Sequence, residues 1–130
     1  MGLFDALLGN SSEVSVDSLT KEFRPILCND ERIVAAYVLI RDKWIFTNKR
    51  LILLDVQGMT GKKREYHTIP YRSIDHFKIE TAGTFDEDNE ITIWVRGMSE
   101  PLKKEISKNI DIKRLQQLLS EFGLLVKIST

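Results

Sequence analysis

The chain has 130 residues, enough for one hydrophobic core and too few for two full domains. Hydrophobic residues make up 42% and charged residues 29%, the mixture of an ordinary globular protein rather than a disordered or fibrous one. Lys+Arg and Asp+Glu both number 19, so no global field is available to hold DNA, RNA or an anionic membrane, and any such contact must come from a local patch.

Cys28 is the only cysteine, which excludes an internal disulfide and suits a reducing cytoplasm. It follows an apolar, helix-like run and reads as a small buried filler rather than a reactive thiol. The longest apolar stretch, residues 33–40, has strand length and falls well short of the roughly 18 to 20 residues of a membrane span. The start Met1-Gly2 lacks a basic signal-peptide region, and Ala6 departs from the myristoylation pattern. A cytoplasmic protein is expected, with peripheral membrane contact as the alternative.

Residues 2–8 form a short amphipathic segment, with Leu3, Phe4, Leu7 and Leu8 on one helical face. So short a helix is marginal alone in water and must dock on its own fold, on a neighbouring subunit or on a membrane. These four residues are therefore candidate oligomer or membrane contacts. The segment carries Asp5 and no cation, which disfavours anionic headgroups. A second helix, capped by Ser15 or Asp17, is expected over residues 16–27, where Val16, Leu19, Phe23, Ile26 and Leu27 keep helical spacing. Pro25 lacks an N–H and should end the regular helix near Phe23 or Arg24. The domain boundary is placed here: residues 1–28 as an N-terminal helical extension, residues 29–130 as the main domain.

From Glu31 the period changes to two. Strands are predicted over residues 33–41, 44–47, 50–57, 64–69, 74–81, 90–96 and 101–107. Arg41-Asp42-Lys43 and Asn48-Lys49 make tight turns, and Gly58 and Gly61 bracket a longer tip. Trp44, Phe46, Tyr66, Phe77 and Trp94 fall at core-like parity. They suit core or subunit contacts better than a base-stacking platform, because cations do not interleave with them. Lys103, Lys104 and Glu105 give the last strand the charges of a protected sheet edge. Asn109 or Asp111 caps a final helix ending at Gly123, with Ile112, Leu115, Leu118, Leu119 and Phe122 as its apolar stripe.

Seven antiparallel strands in meander order followed by one amphipathic helix is the pattern of the pleckstrin-homology (PH) superfold. Arg41-Asp42, Phe46-Thr47-Asn48-Lys49-Arg50-Leu51-Ile52, Asp55-x-Gln57-Gly58-x-Thr60-Gly61-Lys62-Lys63, Ile69-Pro70-Tyr71-x-Ser73-Ile74, Glu80-Thr81-Ala82-Gly83 and Asp86-x-Asp88-x-Glu90 together resemble the bacterial PH-domain family, formerly a domain of unknown function. The resemblance covers roughly residues 20 to 123. It implies an α+β, mainly β fold: a PH-like barrel of seven antiparallel strands in two bent sheets, capped by a C-terminal helix, with short N-terminal helices. It also implies self-assembly, since structures of such domains include ring-like homo-oligomers. Eukaryotic PH domains that bind phosphoinositides carry a basic cluster in a long loop between the first two strands. Here that loop is only Arg41-Asp42-Lys43, too short to wrap a headgroup.

Lys62, Lys63 and Arg64, with Arg41 and Lys43 of the earlier turn, are the candidate anion or partner contacts, the alternative being a solvated hairpin tip. The acidic loop around Asp86, Glu87, Asp88 and Glu90 lacks the spacing of a calcium loop and reads as a solvated turn. His67 and His76 have no metal-ligand spacing, Ser73 has no nucleophile elbow, and no glycine-rich nucleotide loop occurs. No catalytic residue, metal or cofactor is expected. The expected function is a non-catalytic interaction or scaffold module that assembles with its own copies and binds a protein partner. The alternative is a lipid- or anion-binding peripheral membrane module using Lys62, Lys63 and Arg64. Nucleic acid is not an expected partner.

Overall fold

A computed structural model describes residues 12–13, 16–39, 42–57, 62–83 and 88–125, with side chains described for residues 16–122 of these. Leu3, Phe4, Leu7, Leu8, Arg41, the glycine-bracketed tip, Asp86 and Glu87 lie outside the described residues. The chain divides after Thr68 into two compact units.

The first unit is built on tight turns between β-branched and aromatic runs. Its elements are β1 (Ser12–Glu13), α1 (Val16–Phe23), β2 (Ile33–Val38), β3 (Asp42–Thr47), β4 (Arg50–Gln57) and β5 (Lys63–Pro70). The strands form one sheet in the order β1-β2-β3-β4-β5. A Leu39 amide bonded to the Asp42 carbonyl at 2.7 Å closes the β2–β3 turn. The pairing Ala36↔Ile45↔Ile52 sets one face of the sheet. On that face α1 lays Leu19 and Phe23 against Ile33, Ala36, Ile45, Ile52 and Leu54. The four-residue spacing of Leu19 and Phe23 is what lets one helical face make both contacts. Pro25 acts as its chemistry predicts: the α-helix stops at Phe23 and a 3₁₀ turn, Arg24–Ile26, follows. The opposite face carries the rows Ala35↔Phe46↔Leu51 and Tyr37↔Trp44↔Leu53, also buried. The pairing Ser12↔Val38, Glu13↔Tyr37 adds β1, a strand not expected from the sequence. It is only two residues long and carries no periodic signal that could reveal it.

The second unit contains a 3₁₀ turn (Tyr71–Ser73), β6 (Ile74–Glu80), β7 (Asn89–Val95), β8 (Leu102–Ile106) and α2 (Ile112–Leu119), which continues as a π-type turn, Ser120–Leu125. Its sheet has the order β6-β7-β8, antiparallel throughout. Gly97 sits at φ 90°, in the turn between β7 and β8, where an L side chain would be strained. Asp111 caps α2, accepting from the amides of Lys113 and Arg114 at 3.1 and 3.2 Å. Leu115, Leu118 and Leu119 are buried, and Phe122 stacks on Tyr71 at 5.0 Å between centroids.

The fold class is thus the expected one, mainly β with two antiparallel sheets and a C-terminal helix. One detail differs: among the described residues the strands make two separate ladders, and none closes them into a single barrel.

Candidate interaction surface

The turn Thr47-Asn48-Lys49-Arg50 holds the densest polar cluster in the first unit. The Thr47 hydroxyl accepts the amides of Lys49 and Arg50 at 3.0 and 2.9 Å, fixing the turn. It donates to the Glu31 carboxylate at 2.6 Å. Asn48 accepts the Arg32 amide at 2.8 Å and donates to the Asp30 carbonyl at 3.0 Å, tying the turn to the segment before β2. Asp30 has φ 65°, a left-handed conformation that aspartate tolerates better than most residues.

Glu31 is the centre of this cluster, and its side chain has no exposed surface. Arg50 grips it with two parallel donors, Nε at 2.8 Å and Nη2 at 3.1 Å, and the Cys28 amide adds a third bond at 2.9 Å. Burial alone would raise the carboxyl's pKa. The bonds from Arg50, Cys28 and Thr47, with the Arg50 charge, outweigh it and pull the value from 4.5 to about 2. The same pairing pushes Arg50 above its ordinary value, against the opposing effect of its own burial. Arg50 also reaches the Ile26 carbonyl at 2.7 Å and the Thr68 hydroxyl at 2.9 Å. One guanidinium therefore staples the 3₁₀ turn, the segment before β2 and β5 together. A carboxylate so deep and so fully bonded is a structural anchor, with no lone pair presented to a reactant. Nothing in the periodicity marks Glu31, since its partners lie far along the chain. The available signal was an acid immediately before an apolar strand.

The predicted contact residues separate. Lys62, Lys63 and Arg64 are all exposed where β5 begins, and no ion pair to another described residue holds them. Lys43 lies in β3, with Nζ 3.1 Å from Glu22 of α1. Continuing along β5, Glu65, Tyr66 and Thr68 are exposed, and Tyr66 meets Phe23 edge-on at 6.4 Å.

Three expectations need correcting. Tyr66 is 50% exposed rather than buried, because β5 is an edge strand of the first sheet. Trp94 is half-buried on the outer side of the second sheet. There it stacks on His76 at 4.2 Å and lies 5.9 Å from Lys78 Nζ. Cys28 is exposed rather than a buried filler. Its amide and carbonyl both turn towards Glu31, so the backbone, not the thiol, is what the fold uses.

Cross-strand pairing arranges the outer side of the second sheet in bands. His76↔Trp94 makes an aromatic row, Lys78↔Thr92↔Lys103 a basic row with a hydroxyl at its centre, and Glu80↔Glu90↔Glu105 an acidic row. Thr92 is 1% exposed, and its hydroxyl has no partner among the described residues. Among those residues, no three His, Cys, Asp or Glu side chains gather as metal ligands, and no helix is long and apolar enough to cross a membrane.

Known proteins agree with this architecture. A family described as Bacterial PH domain matches residues 2–122. The chain is 46% identical over 121 residues to the uncharacterised Bacillus subtilis (strain 168) protein YjqA, covering 92% of this chain and 97% of that one. It is 34% identical over 108 residues to YozO of the same organism, also uncharacterised, covering 83% and 92%. A DUF1696-family protein with a pleckstrin-homology domain from Shewanella loihica PV-4 superposes with a TM-score of 0.81 at 49% identity, over 89% of this chain and 99% of that one. A pleckstrin-homology domain from Shewanella amazonensis SB2B gives 0.78 at 49% identity, over 93% and 98%. With the family motifs spread over both units and the relatives matched nearly end to end, this chain belongs to the bacterial PH-domain family.

Proposed function

We propose that this PH domain is a non-catalytic interaction module that assembles with its own copies and binds a protein partner. One observation carries the self-assembly: the basic row Lys78/Lys103 lies beside the acidic row Glu80/Glu90/Glu105 on one sheet face. Turning a second copy about a two-fold axis that runs across the strands between these rows sets each basic row on an acidic one. Such a patch is its own complement, as an isologous contact requires. The Trp94–His76 stack beside it offers the aromatic surface that interface centres favour. Light scattering coupled to size-exclusion chromatography tests the reading. A mass that is a multiple of the 15.0 kDa chain is expected, and it should fall in Glu80→Lys/Glu90→Lys. A wild-type protein that elutes as a monomer at micromolar concentration refutes it.

A second reading rests on Lys62, Lys63 and Arg64, three consecutive exposed cations without an ion-pair partner among the described residues. They suit an anionic lipid surface or a soluble anion. Co-sedimentation with phosphatidylglycerol vesicles, abolished by Lys62→Glu/Lys63→Glu, would favour this alternative.

A further inference from the structure

Among the described residues, the outer side of β5 is the longer of the two unpaired edges of the first sheet. At the other side of that sheet stands β1, which is two residues long, whereas β5 runs for eight. Among the described residues β5 pairs with β4 alone. Lys63, Arg64, Glu65 and Tyr66 are exposed in succession, so both faces of the strand are open there as well as its edge. Natural sheets rarely leave such an edge bare, because its unpaired N–H and C=O groups are a template for another chain. Here the edge is guarded by a net positive charge: Lys62, Lys63 and Arg64 outnumber the exposed Glu65 and have no described ion-pair partner. A cationic run repels a cationic strand and admits an acidic one, so the guard also acts as a selector.

The stripe has a direction. Strand alternation puts Arg64, Tyr66 and Thr68 on one face. That is the face of α1, since Tyr66 meets Phe23 and Thr68 is held by the same Arg50 that holds the Ile26 carbonyl. Charge therefore lies at the start of the strand and apolar, aromatic surface further along it. Arg50 braces this second half from behind, fixing the strand in place before anything docks.

We infer that β5 accepts an extended acidic peptide segment of a partner protein as an added strand. Backbone bonds would form along the free edge, acidic side chains would lie beside Lys62–Arg64, and small apolar or β-branched side chains would lie beside Tyr66. This deepens the partner-binding half of the proposed function and rests on it, but it is independent of self-assembly through the second sheet. Strand addition takes its affinity from main-chain bonds and its specificity from alternate side chains.

The probe is a fluorescein-labelled peptide, Asp-Glu-Asp-Glu-Val-Thr-Val-Thr, titrated with the full chain and read by fluorescence anisotropy. Saturable binding is expected, weakened by salt. Arg64→Glu should weaken it by about tenfold or more, as the loss of a charged contact to an acidic ligand implies. Methylating alternate backbone nitrogens of the Val-Thr half, on whichever register faces β5, should also cost about tenfold or more, because at least two main-chain bonds are lost. This second variant alters only the probe, so it carries no risk to the fold. Equal affinity for both N-methylated registers and the parent peptide would show charge attraction without strand addition, and the inference falls. Equal affinity for the version with Lys in place of Asp and Glu overturns it too. Binding of phosphatidylglycerol vesicles without binding of the peptide would assign the stripe to lipid and overturn it. Absence of peptide binding in a protein that light scattering shows to be assembled sinks this inference while leaving the self-assembly reading intact.

Discussion

Removing the charge of Glu31 with Glu31→Gln should destabilise the first unit by about 3 kcal/mol at neutral pH. The magnitude follows from the site. The folded carboxyl has a pKa of about 2 against an ordinary 4.5. That difference corresponds to about 3 kcal/mol, at about 1.4 kcal/mol for each pH unit. The range of about 3 to 5 kcal/mol for breaking a buried pair by deleting one partner leads to the same place, at its lower end because Arg50 keeps some contact with water. The sign with pH is fixed. Glu31 is depressed on folding, so its stabilisation is complete above about pH 4.5 and is lost as the pH falls towards 2. Urea unfolding followed through the fluorescence of buried Trp44 is the assay. The gap between wild type and Glu31→Gln should shrink by about 2 kcal/mol between pH 7 and pH 3, because only the wild type carries the titrating group. A gap below about 1 kcal/mol at pH 7, or one that does not change with pH, would contradict this role for Glu31. It would mean that burial cancels what Arg50, Thr47 and the Cys28 amide supply. The double variant Glu31→Gln/Arg50→Met should recover part of the loss, since it leaves neither charge stranded.

Thr92→Val should leave stability unchanged or raise it by up to about 1 kcal/mol in urea titrations, because the buried hydroxyl has no partner among the described residues and valine keeps its shape. Asp111→Ala should cost about 1 kcal/mol by the same measurement, the usual loss when a side chain stops capping two helix amides. Cys28 should react with Ellman's reagent in the folded protein without a lag, since its side chain is exposed; a rate limited by unfolding would contradict that placement.

Most of the architecture was legible because it rests on local patterns. The apolar run in residues 51–54, the alternation in residues 90–96, the break at Pro25 and the Asp111 cap each act within a few residues. Properties set by distant neighbours were hidden. Alternation places Tyr66 on a face, but only the strand order shows that this face lies at an edge. The same gap explains Cys28, which follows an apolar run yet turns outward because its backbone serves Glu31. Glu31 and Arg50 are 19 residues apart, and neither carries a signal of the other. The basic run Lys62–Arg64 was visible at once, yet its setting on an open edge beside an exposed tyrosine was not.

The segment from Phe46 to Arg64 contains two kinds of cation, and the structure separates them by what their donors reach. Arg50 spends Nε, Nη1 and Nη2 on Glu31, Thr68 and the Ile26 carbonyl, all within the first unit. A planar fork with fixed donor directions is what such a multipoint staple requires, and a lysine at position 50, with one compact ammonium, could not span it. Lys62, Lys63 and Arg64 sit a few residues further on and reach no described acid. Exposed charges of that kind contribute little to folding. Replacing Lys62 and Lys63 should therefore leave the urea midpoint nearly unmoved while changing what β5 attracts. Replacing Arg50 should do the reverse first, loosening β5 from the 3₁₀ turn and only through that disturbing the edge. The motif that resembles the family is thus divided along its length, its first half committed to holding the strands and its end exposed.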